Sequence, residues 1–132
     1  EALSMADTLA IMIDGRIVQY GRPQDVYDRP ATVHVARFFG SPPMNVLEGD
    51  MHLLGIRPEH VHPDPNAALR GTVLSVQSTG ADRFARASTM RGDVVLRLPS
   101  GAPDAALGEE IGIAFDAAHV RHYDRSTGEV LT

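Results

Sequence analysis

The chain has 132 residues, 43% hydrophobic and 22% charged, an ordinary balance for a globular protein. Its formal net charge of -5 argues against nucleic acid as the main partner, and the absence of cysteine excludes disulfide staples, thiolate metal sites and cysteine nucleophiles. All 12 basic residues are Arg, so there is no P-loop, Schiff-base or general-base lysine.

No apolar run approaches membrane-spanning length, and no stretch resembles a signal peptide. The lack of cysteine fits a cytoplasmic compartment. The sequence opens on Glu1-Ala2-Leu3, without an initiator Met and in what reads as the end of a helix, so a longer parent is expected. Thr8–Ile13 is a continuous apolar run, followed by Asp14-Gly15 and then Arg16–Tyr20. Two such runs around Asp-Gly predict a β-hairpin, and the first, apolar on both faces, is expected to be buried on both. Gly21-Arg22-Pro23 stops the second strand, and Pro23 opens a short helix that Pro30 ends. Thr32 caps a second helix over 33–39, closed by Gly40.

Gly40-Ser41-Pro42-Pro43 then breaks the pattern, because neither proline can continue a helix. It divides the chain into an N-terminal unit, 1–40, and a β-rich unit, 41–132. Met44–Leu54 reads as a strand with an acidic turn at Glu48-Gly49-Asp50. Asn66–Ser78 contains a strand with Leu74 and Val76 on one face. Gly80 and Asp82 mark a turn before a weaker strand over Arg83–Met90. Val94, Leu96 and Leu98 alternate with Asp93 and Arg97, and Ile111, Ile113 and Phe115 repeat the pattern after a loop at 99–103. Asp124–Gly128 is a turn stabilised by its own side chains, ahead of a short strand at Glu129–Leu131. No internal repeat is evident. Short strands at regular spacing predict a mainly β fold: a small barrel, complete or short of a strand pair, preceded by a hairpin and two short helices.

Four groups of residues, in order, carry a family resemblance. They are Glu1–Asp7; Ile13-Asp14-Gly15-Arg16-Ile17 with Gly21-Arg22-Pro23 and Tyr27-Asp28-Arg29-Pro30; Phe38–Asn45; and Gly55-Ile56-Arg57-Pro58-Glu59-His60 with Phe115-Asp116, His119, Asp124 and Thr127-Gly128. Together they resemble the C-terminal part of the ATP-binding subunit of ATP-binding cassette importers, of the sugar and polyol type that serves maltose and glycerol-3-phosphate. The resemblance implies that 1–40 ends an ATPase domain and that 41–132 is its regulatory transport-associated domain, an OB-type barrel. It implies a homodimer, permease subunits in the membrane, a regulatory protein as a further partner, and a location at the cytoplasmic face. ATP and Mg would belong to the full-length parent, with no cofactor in this chain. The family sets several tens of residues between the Met-Asn element and the Arg-Pro-Glu motif; here only Val46–Gly55 intervene.

No catalytic residue is expected, since no phosphate cradle with Lys exists. The candidate interface and regulatory residues are Ser41, Pro42, Met44, Asn45, Arg57, Pro58, Glu59 and His60. Pro58 between Arg57 and Glu59 could hold them for a contact across an interface, or the two charges could fix a loop. His60 with His62, and His119 with His122, have spacings that can hold zinc alongside Asp64 or Asp124, but no spacing fixes a third ligand, so no metal site is expected. Arg83, Arg86, Arg91 and Arg97 form the one basic cluster, read as a solvated or partner-facing surface. The leading function is therefore non-catalytic assembly and regulation of an importer ATPase. A sugar- or oxyanion-sensing barrel is the alternative, and an oligonucleotide-binding barrel ranks last because aromatics are few.

Overall fold

The structure is a computed structural model describing residues 7–102 and 105–131. The helix end expected at Glu1–Ala6 and the Pro103 end of the 99–103 loop lie outside the described residues. Strands β1 (Leu9–Ile13) and β2 (Arg16–Gly21) pair antiparallel around Asp14-Gly15. Asp14 and Gly15 have φ of 52° and 75°, the two consecutive positive values of a type I′ turn, whose twist matches the strands.

The hairpin is covered on one face only, which corrects the expectation of burial on both. Ile11 is buried against Val26 of helix α1 (Pro23–Asp28) and Val35 of helix α2 (Val33–Phe38), with Val18 and Phe39 packed around them. The two helices reach no further, and Met12 and Ile17 on the other face stay 60% exposed. Thr32 caps α2 as expected, its Oγ1 accepting from the Val35 N–H at 3.1 Å. The Ser41–Pro42 peptide that follows is cis.

After Gly40 the chain is β-rich, as the sequence predicted. Strands β3 (Asn45–Glu48), β4 (Leu53–Ile56) and β10 (Arg121–Tyr123) form one antiparallel sheet in the order β10-β4-β3. Strands β5 (Val61–Pro63), β6 (Arg70–Thr79), β7 (Asp82–Thr89), β8 (Gly92–Leu98) and β9 (Glu110–Phe115) form a second, in the order β5-β9-β6-β7-β8. The residues short of the family spacing cause no gap: β3 and β4 close on each other through 49–52, with Asn45 opposite Ile56.

Leu47 and Ile56 of the first sheet meet Val61, Ala85, Ala87, Val94, Leu96, Leu98 and Ile113 of the second in one core. The sheets do not close into a barrel, consistent with the incomplete OB-type form of that expectation. At the β3–β8 seam a side chain stands in for a ladder. The Asn45 amide donates to the Val95 carbonyl and accepts from the Val95 N–H, both at 2.8 Å.

Two further expectations change. A β-bulge in β6 places Val73 opposite Ala87 and Ser75 opposite Arg86, leaving Leu74 unpaired. Val73 therefore points inward and Leu74 is 41% exposed, while Val76 returns to the core side. Residues 129–131 form no strand. They make isolated bridges, Thr32 to Glu129 and Tyr123 to Val130, that tie the end of the turn to the start of α2.

The structure also contains a repeat that the sequence hides. β4, a 3-10 turn (Pro58–His60) and β5 form one unit; β9, a 3-10 turn (Ala117–His119) and β10 form another. The units exchange strands: β5 pairs with β9, His62 opposite Ala114, and β10 pairs with β4, Arg121 opposite Gly55. Counted from His60 and His119, these registers are equivalent.

Because Leu96 is fully buried in the shared core, Leu96→Ala should lower the unfolding free energy by about 2–5 kcal/mol. Met12→Ser, on the bare hairpin face, should change it by no more than about 0.5 kcal/mol. Urea unfolding of both variants measures the contrast.

Candidate functional site

Arg57 leaves the end of β4 and is 3% exposed. Its Nε and Nη2 donate to the Tyr27 carbonyl at 3.1 and 2.9 Å, and its Nη1 donates to Phe39 at 2.7 Å and Ala36 at 3.2 Å. The guanidinium also lies 4.0 Å from the centre of the Tyr27 ring. These carbonyls lie at the ends of α1 and α2, where four C=O groups per helix lack intrahelical partners and the dipole favours a cation. Gly40 makes room for it: its φ is 110°, and a Cβ there would strike both Arg57 and Tyr27.

Glu59 accepts from the Tyr27 hydroxyl at 2.6 Å. Burial, with this hydrogen bond next in effect, raises the Tyr27 hydroxyl above the usual phenol range. Pro58 between them is fully buried. The Arg-Pro-Glu motif thus grips the segment before Gly40 within its own chain. Met44 is buried with Val33, Ala36 and Tyr123, and Asn45 forms the β3–β8 seam. Ser41 and Pro42 instead line an open cleft of about 350 Å³ with Ser75, Gln77, Thr79 and Phe84. Of the candidate residues, then, Arg57, Pro58, Met44 and Asn45 face inward, while Ser41, Pro42, Glu59 and His60 keep some exposure.

The histidines regroup relative to their sequence spacing. His60 stacks on His119 with ring centres 3.6 Å apart and planes 3° from parallel. His52, which sequence reasoning did not single out, places Nε2 2.6 Å from His122 Nδ1. The two carboxylates proposed beside them are engaged elsewhere. Asp64 accepts from the Asn66 N–H, and Asp124 from the Ser126 and Thr127 N–H groups at 2.8 Å. The latter two bonds depress the Asp124 carboxyl below its usual range, as the self-stabilised turn required. The basic cluster is dispersed into separate contacts: Arg83 to the Pro99 and Ala102 carbonyls, Arg86 to Asp93 at 2.7 Å and Arg91 to Asp50 at 3.3 Å.

A second tie joins the far end of the chain to the same segment. Tyr123 on β10 donates its hydroxyl to the Pro30 carbonyl at 2.9 Å, and Arg121 Nε donates to the Asp28 carbonyl at 2.9 Å. Sequence reasoning missed Tyr123; its only signal was an aromatic at an alternating position after His119.

Arg57→Ala should cost about 3 kcal/mol, since it strips charge-assisted bonds from three carbonyls, and Arg57→Lys should recover only part, because an ammonium cannot span them as a planar fork. Chemical denaturation of the variants reads both. Burial pushes the Tyr123 hydroxyl from 10.0 up to about 12. A raised folded value means that its stabilisation is complete below pH 10.0 and is lost as pH rises through about 12. Tyr123→Phe should flatten that alkaline decline, leaving the part due to Tyr27, in unfolding measurements across this range.

A family model described as TOBE domain matches residues 54–122, which include the Arg-Pro-Glu motif, both 3-10 turns and the whole second sheet. The chain is 35% identical over 165 aligned residues to an sn-glycerol-3-phosphate import ATP-binding protein of Paraburkholderia xenovorans (strain LB400), covering 97% of this chain and 45% of the relative. It is 34% identical to the protein of that name from Burkholderia thailandensis, over 98% of this chain and 45% of the relative. It is 36% identical to the one from Cereibacter sphaeroides, over 99% and 44%. The chain spans less than half the length of these relatives. The shortest of the three alignments, 157 positions against 132 residues, is still 25 longer than the chain, in keeping with the short link before Gly55. With more than half its length matched and such relatives along nearly all of it, the chain belongs to the TOBE domain family.

Proposed function

We propose that this chain is the C-terminal regulatory region of the ATP-binding subunit of an importer for sugars or polyols, with 1–40 ending the ATPase domain and 41–132 forming the regulatory unit. Its role is to join two ATPase subunits and to pass regulatory input to them, without catalysis of its own. One observation carries this reading: the Arg-Pro-Glu motif of the TOBE region holds the carbonyls of Tyr27, Ala36 and Phe39 in one buried fork. A displacement of the regulatory sheets would therefore move the segment before Gly40. The relatives' names, import ATP-binding proteins, support the same assignment.

In this reading ATP and Mg are held by the parent outside these residues, and the parent meets permease subunits at the cytoplasmic side of the membrane. Among the described residues no helix is long and apolar enough to cross a membrane. The bare hairpin face, with Met12, Ile17 and Tyr20, is the surface the rest of the ATPase domain covers. The regulatory unit forms a homodimer, in which Ser41, Pro42, Glu59 and His60 are the candidate residues with outward surface, and a regulatory protein is a further partner. The alternative, a sugar or oxyanion sensor, is favoured by the cleft beside Ser41 and Pro42, which Ser75, Gln77 and Thr79 line with polar groups.

Sedimentation at micromolar concentration should give a dimer, and a clean monomer mass would remove the joining role. The purified chain should release no phosphate from ATP above background. Calorimetric titration with sugars and oxyanions decides the alternative: tight binding replaces the assembly reading by the sensor.

A further inference from the structure

His60 ends the first 3-10 turn, Asp116 precedes the second, and His119 ends it. The two turns are fixed to each other by their backbones. The Asp116 N–H donates to the His60 carbonyl at 2.9 Å, and the His119 N–H donates to the Asp116 carbonyl at 2.9 Å. This scaffold brings one nitrogen from each ring and one carboxylate oxygen within 4.8 Å of one another. Asp116 Oδ2 already lies 3.8 Å from His119 Nε2. A tetrahedral cation bound at about 2.1 Å needs donors roughly 3.4 Å apart, so the donors would have to draw together through changes of side-chain rotamer.

We propose that His60, Asp116 and His119 form a zinc-binding site where the two exchanged strand units meet. Two imidazoles with one carboxylate suit a borderline cation such as Zn²⁺, and the all-oxygen preference of Ca²⁺ and Mg²⁺ excludes those. Three protein donors leave a fourth position for water or a ligand from elsewhere. Burial of His60, and then the neighbouring His119, favour its neutral ring, the form that binds metal. Arg97 is the cation near His60, and Glu59 and Asp116 set negative charge against it. The parallel rings point their lone pairs in parallel planes, so binding must open the stack.

The other histidine pair does not compete. His52 and His122 approach to 2.6 Å through a hydrogen bond, closer than two ligands of one cation, and no carboxylate joins them in such a set among the described residues. His62, next to the site in sequence, is exposed on β5 with its side chain on the other face from Val61.

The test is a titration of the 132-residue chain with zinc chloride, followed by calorimetry and by the imidazole signals in NMR. One Zn²⁺ per chain is expected, together with loss of the mutual ring-current shifts of His60 and His119. His119→Ala and Asp116→Asn should each weaken binding by about tenfold or more, while His62→Ala and His122→Ala leave it unchanged. Amide spectra of the variants confirm that each retains the fold. Zinc affinity left unchanged by His119→Ala, or lost with His122→Ala, overturns the proposal, as does the absence of binding at millimolar zinc.

Discussion

The interaction on which the rest depends is a cation placed among carbonyls. Arg57 reaches Tyr27, Ala36 and Phe39, three groups on a segment far from it in sequence. A guanidinium is suited to this because its donors lie in one plane and diverge, so separate acceptors can be met without bending the side chain. The helix ends need such a partner, since their last carbonyls have none of their own. Glycine at position 40 and proline at 58 serve the same contact, one by leaving space and the other by fixing the backbone at the motif. Gly40 and the Arg57-Pro58 pair, two landmarks that stand apart in the sequence, are thus parts of one joint.

Around that joint, packing ignores the Gly40 break. α2 gives Val35 to the hairpin cluster and Val33 and Ala36 to a second cluster with Met44 and Tyr123. A six-residue helix has too few internal bonds to persist alone, and its stability comes from these two faces. The hairpin is likewise marginal without α1 and α2 beneath it. The two units of the sequence therefore form a continuous packed body, whatever role each has in the parent.

Much of this was legible in the residues. Asp14-Gly15 encoded its turn, Thr32 its cap and Val94-Leu96-Leu98 its buried face, because each depends on a few neighbouring positions. Leu74 was misread because a bulge inserts one residue and reverses the alternation beyond it, and bulges leave no pattern in a single sequence. The hairpin's bare face was misread because an apolar run reports a need for cover, not whether cover is present. The repeat escaped notice because His-Val is the one dipeptide that both units share at equivalent positions, His60-Val61 and His119-Val120. The same is true of the candidate site. His60 and His119 were visible as residues, but their meeting depends on strand exchange rather than on spacing.

That exchange has a consequence for how the chain acquires its shape. Each strand of one unit completes a sheet begun by the other, and the ties from Tyr123 to Pro30 and from Arg121 to Asp28 each span 93 residues. Contacts of such separation need the whole intervening loop to be closed before they contribute. Until β10 is in place, the Asp28 and Pro30 carbonyls lack their side-chain donors and β4 has no neighbour on one side. The set of contacts is complete only when β10 fills that edge.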